Sequence, residues 1–253
     1  MINSSNNIRI IPSLLLNNNR LVKGKLFSNY VDAGDPIKTC VAHDSQFCDE
    51  ISIIDLNAYK NNAIPNYKIL EQISSEVTTP ILFGGNIKDI KTVEMLIRNG
   101  ADKVLINSNI FEKKLTKDIT NFFGKQSLVA GIDIIFIEGK YKIYNRGKII
   151  NISYIDYLNK VFDENVGEIK VTFVNLEGTR KGLDIETAKK IIEISPVPVI
   201  IEGGTKNLKN LETAIKNGLN SIALGSMLVF SDNHIFKVKQ YLENSGINVR
   251  LRN

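Results

Sequence analysis

The chain is 253 residues long and 43% hydrophobic, so it can bury the core of one large domain without disulfide or metal staples. Its two cysteines, Cys40 and Cys48, are too few for a disulfide framework and too far apart for a Cys-x-x-Cys pair, which points to a reducing, cytoplasmic setting. The formal charge of +5 comes from lysines scattered through the chain, not gathered with aromatics in a stripe; that argues against a nucleic-acid partner and suffices to attract an anionic small molecule.

Met1 to Asn7 is polar, and the apolar run that follows, Ile8 to Leu16, is interrupted by Arg9 and Pro12, so it is neither a signal peptide nor a membrane span. Short β-branched runs then recur: Ile8 to Leu15, Glu50 to Leu56, Pro80 to Gly84, Lys103 to Asn107, Leu128 to Asp133, Glu168 to Val174, Val199 to Gly203 and Ser221 to Gly225. Charged stretches with helical periodicity alternate with them, among them Thr92 to Asn99, Ile185 to Ile194 and Leu208 to Asn217. This alternation predicts parallel strands joined by crossover helices, and no Pro/Ser-rich linker divides the chain. Strand count alone does not separate a closed barrel from an open doubly wound sheet.

An internal repeat does. Pro-Ile-Leu-Phe-Gly-Gly from Pro80, Asn99-Gly100 and Ile106-Asn107-Ser108 recur as Pro-Val-Ile-Ile-Glu-Gly-Gly from Pro198, Asn217-Gly218 and Leu224-Gly225-Ser226, an offset of about 118 residues. That is too long for a solenoid and right for two fused half-barrels, so the predicted fold is a single (β/α)8 TIM barrel spanning residues 1–253.

Gly84-Gly85 and Gly203-Gly204 each end a predicted strand on the side where barrel active sites lie. Glycine there lets backbone N–H groups approach an anion, and the next helix adds its positive N-terminus. Asn107-Ser108 and Gly225-Ser226 end the following strands and complete two candidate phosphate sites, which imply a substrate with an anion at each end. Asp133 and Asp55 close the fifth and second strands; a carboxylate there can serve proton transfer or can cap the next loop. Glu177-Gly178-Thr179, after the sixth strand, fits a substrate rim or a polar turn. No metal cluster, nucleophile triad or nucleotide fingerprint is visible, so neither metal nor cofactor is expected. The two histidines, His43 and His234, have no ligand-like neighbours.

Together these residues resemble the cyclase subunit of imidazole glycerol phosphate synthase. The motifs Arg9-Ile10-Ile11-Pro12, Val22-Lys23-Gly24, Ala33-Gly34-Asp35-Pro36, Gly100-Ala101-Asp102-Lys103-Val104, Ile106-Asn107-Ser108, Gly178-Thr179 and Gly203-Gly204 match it in order across nearly the whole chain. The resemblance implies that Lys23 is the active-site lysine of the first loop, that Asp133 is one of two catalytic aspartates, and that the Gly-Gly and Ser sites hold phosphates. It also implies a glutaminase partner whose ammonia enters through a charged ring at the opposite mouth, matched here by Arg9, Glu50, Lys103 and Glu168, with Asp102 at a partner-docking position. Charges at a barrel floor are costly unless paired, so a complete ring demands a reason, whether as gate or as staple.

Four departures stand against this. Leu15, in Pro12-Ser13-Leu14-Leu15-Leu16, occupies the place of the family's other catalytic aspartate. Glu202 replaces a small residue, Glu177 replaces an aspartate, and Tyr144-Asn145-Arg146-Gly147 replaces the family's Thr-His-Gly-Gly. The triple leucine is the pattern of a paralogous branch, the acetamidino-modification proteins of surface-polysaccharide and nonulosonic-acid pathways. There a glutaminase and the barrel supply ammonia to a sugar amidotransferase. On this resemblance the chain is read as that branch in preference to a histidine-pathway cyclase, acting on a phosphorylated or nucleotide-sugar substrate. A non-catalytic ammonia channel and docking module is the third reading, and a phosphoribosyl isomerase, which needs no gate, a weaker one.

Overall fold

The computed structural model describes residues 8–251; the polar start, Met1 to Asn7, lies outside the described residues. In chain order the elements are β1 (Arg9–Asn17), β2 (Arg20–Lys25), β3 (Ser28–Gly34), α1 (Pro36–Asp44), β4 (Ile51–Asp55), α2 (Leu56–Lys60), α3 (Tyr67–Ser74), β5 (Ile81–Gly84), α4 (Ile90–Arg98), β6 (Lys103–Ile106), α5 (Lys113–Phe123) and β7 (Leu128–Ile137). The second half continues with β8 (Lys140–Asn145), β9 (Lys148–Ser153), α6 (Tyr154–Phe162), β10 (Glu168–Phe173), α7 (Ile185–Ile194), β11 (Val199–Glu202), α8 (Leu208–Lys216), β12 (Ser221–Leu224), α9 (Ser226–Val229) and α10 (Ile235–Asn244). Strands β1, β4, β5, β6, β7, β10, β11 and β12 pair in parallel, and β12 against β1 and β7 against β10 close them into a ring. This is the predicted (β/α)8 barrel, and each of its strands falls on a predicted run.

The repeat is visible in the helix caps. Asn66 caps α3 by accepting from Ile69 N, and Asp184 caps α7 from Thr187 N; Asp89 caps α4 from Thr92 N, and Asn207 caps α8 from Asn210 N. Each pair stands at the same offset as Pro80 and Pro198 in the internal repeat. A side-chain oxygen in place of an orphan N–H partner is worth about 1 kcal/mol, so both halves mark their helix starts by the same device.

Alternation along the strands sorts side chains into two cores. The larger packs strands against helices, and a smaller one of Ile11, Leu82, Leu105, Val129, Ile200 and Ala223, with Ile54 against it, fills the barrel's interior. Cys40 and Cys48 are free thiols buried in the outer core.

Two antiparallel hairpins were not anticipated. β2 and β3 continue from β1, and β8 and β9 from β7, as the long loops after the first and fifth barrel strands. They are equivalent positions in the two halves, and both sit over the same mouth. Of Tyr144-Asn145-Arg146-Gly147, the first two residues end β8 and Arg146-Gly147 is the turn of the second hairpin.

The C-terminus is tied to the barrel floor by Lys239. Its buried ammonium donates to Phe47 O, to Asp49 Oδ1 at 2.8 Å and to Arg250 O at 2.9 Å. Lys239→Met removes the donor from both carbonyls and leaves Asp49 only Ile10 N and Arg250, so urea denaturation is expected to show a loss of about 2–4 kcal/mol.

Candidate active site

At the N-terminal mouth the four charges predicted as a ring form one. Lys103 Nζ lies 2.7 Å from Glu50 Oε2 and 2.7 Å from Glu168 Oε2, Arg9 reaches Glu50 Oε2 at 3.4 Å, and its other guanidinium nitrogen binds Glu168 Oε1. Ser221 Oγ accepts from Arg9 Nε at 3.0 Å. The carboxylates are buried and the cations half-exposed, so the ring closes the barrel floor with its negative charges innermost. Burial raises the Glu50 pKa against the pull of Lys103, whereas Lys103 is held above its ordinary value by both carboxylates despite its own desolvation. Glu50 Oε1 has no hydrogen-bond partner. Asp102, exposed beside the ring, accepts from Ile81 N at 2.8 Å and so also fixes the start of β5.

At the C-terminal mouth a cavity of about 410 Å³ opens between the two hairpins. Asp133 stands in its floor, where burial raises its pKa to about 6; the Asn107 amide, which donates to Oδ2 at 2.8 Å, and the Lys170 ammonium moderate the shift. Leu15 lines the same cavity with an apolar face. Gly85, Asn107 and Ser108 line one side, with Lys60 and Arg146 as cations at the rim, and Ser108 Oγ donates to Asn145 Oδ1 at 2.8 Å. Asp55 also lines the cavity, but its carboxylate caps α2 through Asn57 N and Ala58 N and accepts from Asn66 N at 2.9 Å. Its oxygens are therefore held by backbone donors.

Beside this cavity lies a smaller cradle lined by Gly178, Arg180, Gly203, Gly204, Thr205 and Ser226. The hydroxyls of Thr205 and Ser226 are buried there without a partner. An orphaned hydroxyl costs about 1–3 kcal/mol, so two of them facing one cradle fit an anionic guest that would accept from both. Gly204, at φ +92°, could carry no side chain, since a Cβ would lie 2.4 Å from Gly182 O. At Gly225 a Cβ would lie 2.7 Å from Lys23 Nζ, so this glycine admits the ammonium to the cradle's edge.

Two buried ion pairs separate cavity from cradle. Lys23 binds Glu177 Oε1, and Lys170 Nζ lies 2.7 Å from Glu202 Oε2; Lys23, Glu177 and Glu202 line both spaces. Glu177 also accepts from Phe27 N at 3.5 Å, and its carbonyl accepts from Leu26 N at 3.0 Å, which pins the first hairpin across the mouth. Thr179 Oγ1 donates to Leu176 O at 2.7 Å and lines neither space, and Gly84 lies within β5. Sequence reasoning missed Lys170, Arg180 and Thr205. The signal for Lys170 was present: a lysine at an inward position of a buried strand, which needs a partner to be there.

No group of three or more His, Cys, Asp or Glu among the described residues is placed to hold a metal, and no helix among them is long and apolar enough to cross a membrane.

The Asp133 shift has a consequence for stability. With a pKa of about 6 in the folded chain against 3.8 unfolded, the native state binds the proton more tightly, and stability falls as pH rises through that window. Asp133→Asn should therefore be more stable than the parent by about 1–3 kcal/mol at pH 8. The gain should vanish as pH falls below about 4, as urea titrations at several pH values would show.

Comparison with known proteins agrees with this geometry. Residues 9–234 match the family model described as histidine biosynthesis protein. Two curated proteins named imidazole glycerol phosphate synthase subunit HisF, from two strains of Leptospira biflexa serovar Patoc, are each 31% identical over 249 residues, covering 96% of this chain and 98% of theirs. The chain belongs to the histidine biosynthesis protein family and is of the HisF type.

Proposed function

We propose that the chain is the barrel subunit of an ammonia-using synthase, one domain over residues 1–253, which takes ammonia from a docked glutaminase and delivers it to a phosphorylated substrate near Asp133 and Lys23. The observation that carries this is axial order: the Arg9, Glu50, Lys103 and Glu168 ring at one mouth, the apolar interior layer, and the carboxylate-bearing cavity at the other. An unpaired charge crossing that layer would cost several kcal/mol, whereas neutral ammonia crosses cheaply and emerges unprotonated. Asp102 is then a docking residue for the glutaminase, and the cradle and the Ser108 side hold the two anionic ends of the substrate.

For the product, the whole-length HisF relatives favour imidazole glycerol phosphate formation in histidine biosynthesis over the sugar amidation preferred from sequence. Leu15 favours the second reading: an apolar side chain stands in the cavity where the resemblance calls for a catalytic aspartate. In that reading ammonia serves acetamidino formation on a glycan precursor with a sugar amidotransferase as third partner, and the barrel is enzyme or channel.

The test is turnover of the phosphorylated ribulosyl formimino-carboxamide ribotide with ammonium at alkaline pH by the purified chain, beside Leu15→Asp. Product from the unmodified chain within the usual enzyme range of about 1–10³ s⁻¹ is the expected result for the cyclase. Product from Leu15→Asp alone would assign the chain to amidation, and product from neither would sink the cyclase reading.

A further inference from the structure

The upper interior holds a second carboxylate that the reading above leaves idle. Glu202 ends β11 and Asp133 lies on β7, with β10 between them, and Thr172 of β10 is in register with both. Two strand spacings separate the backbones by about 10 Å along the sheet, and both side chains line the same cavity, which brings the carboxylates closer. Glu202 is buried, held by Lys170 Nζ at 2.7 Å and by the Ser13 hydroxyl. Lys170 in turn reaches across the interior to Ser13 Oγ and Ser52 Oγ, each at 3.3 Å, so all three of its donors are used.

We propose that Glu202 is the second catalytic carboxylate of this site, working opposite Asp133 across β10, and that Lys170 is the positioning residue that holds it there. The proposal rests on the synthase reading for its chemistry. A pair that served stability alone would be replaceable by apolar side chains of similar volume and need not face a cavity. This one forms part of the wall between the cavity and the anion cradle, beside the Lys23–Glu177 pair.

The electrostatics separate the two roles. The Glu202 pKa is lowered: its desolvation is outweighed by Lys170, Lys23 and the hydrogen bonds from Lys170 and Ser13. Asp133 is pushed the other way, to about 6. Two carboxylates whose environments drive their pKa values apart are suited to opposite proton transfers. As ammonia attacks an electrophilic carbon, the new C–N bond leaves a surplus proton on nitrogen, which passes to Glu202. Asp133 in its acid form delivers a proton to the heteroatom that takes up the displaced electron pair. The charged groups facing Glu202 are Lys170 from β10, Lys23 from β2, Asp133 from β7, and Glu177 and Arg180 from the loop after β10.

The experiment has two arms, on the full chain with Glu202→Gln and Lys170→Met. In the first, carbon-13 NMR follows the carboxyl carbons of the free protein through pH 3–9 (approximately the range that brackets ordinary carboxylate titration). Asp133 should titrate at lower pH in Glu202→Gln, because a like charge is gone, and Glu202 at higher pH in Lys170→Met. In the second, with the ribotide and ammonium as probe, Glu202→Gln should lower kcat by about 10²–10⁴-fold. Lys170→Met should move the acidic limb of the pH profile upward. Unchanged kcat and pH profile in Glu202→Gln would overturn the proposal. Absence of ribotide turnover in the parent would count against the cyclase form of the synthase reading and leave the titration to decide: an Asp133 curve unmoved by Glu202→Gln overturns the pair, and one shifted to lower pH supports it.

Discussion

Closing eight strands into a ring turns every second residue of each strand into a shared interior, and that constraint governs the whole molecule. Each inward position must be filled by something its opposite neighbours can accept. Here the interior is charged at the floor, apolar at the level of Ile11, Leu82, Val129 and Ile200, and polar again above. Such layering is expensive, because two charged levels are desolvated on either side of an apolar one. It is tolerated because the charges are paired, Asp133 excepted: the floor ring alternates cation and carboxylate, and the upper pairs, Lys23–Glu177 and Lys170–Glu202, are each in direct contact.

The half-barrel repeat explains where the polar groups stand and where the halves have diverged. The caps Asn66 and Asp184, and Asp89 and Asn207, keep the helices of both halves in the same place relative to their strands. The anion sides have not stayed alike. On one, Ser108 already donates to Asn145 in the second hairpin; on the other, Ser226 and Thr205 lack partners. The two ends of the cavity are thus differently prepared, one with satisfied side chains and rim cations, the other with vacant hydroxyl donors, which suits a substrate whose ends are not equivalent.

Much of this was legible because it is local. Strand runs, the Gly-Gly repeat and the residues of the ring are short patterns whose spacing fixes their place once the barrel is assumed, and the structure puts each at its predicted strand end. The hairpins β2–β3 and β8–β9 were not legible, because Arg20–Gly34 and Lys140–Ser153 carry weak alternation and earn their strand geometry by pairing onto β1 and β7. The carboxylate of Asp55 looked the same in sequence as that of Asp133. What separates them is three backbone N–H groups around one and a side-chain amide beside the other. Lys170 was passed over because its partners, Ser13, Ser52 and Glu202, come from strands far apart in the chain. The preference for sugar amidation rested on Leu15 within its triple leucine and on a few other local departures, and whole-length similarity to HisF proteins weighs against it.

The stability argument and the chemical one meet at the upper interior. A carboxyl whose pKa is raised to about 6 destabilises the fold at neutral pH, and a buried lysine–glutamate pair is seldom more stable than apolar packing of the same volume. A barrel selected for stability alone would have filled this level with apolar side chains, as on β11 two residues below Glu202, where Ile200 sits in the apolar layer. Retaining three ionisable groups around one rung, Asp133, Lys170 and Glu202, is intelligible if the rung moves protons. The apolar layer beneath then has a matching purpose: it admits a neutral base to that rung while keeping the floor's charges from disturbing its protonation.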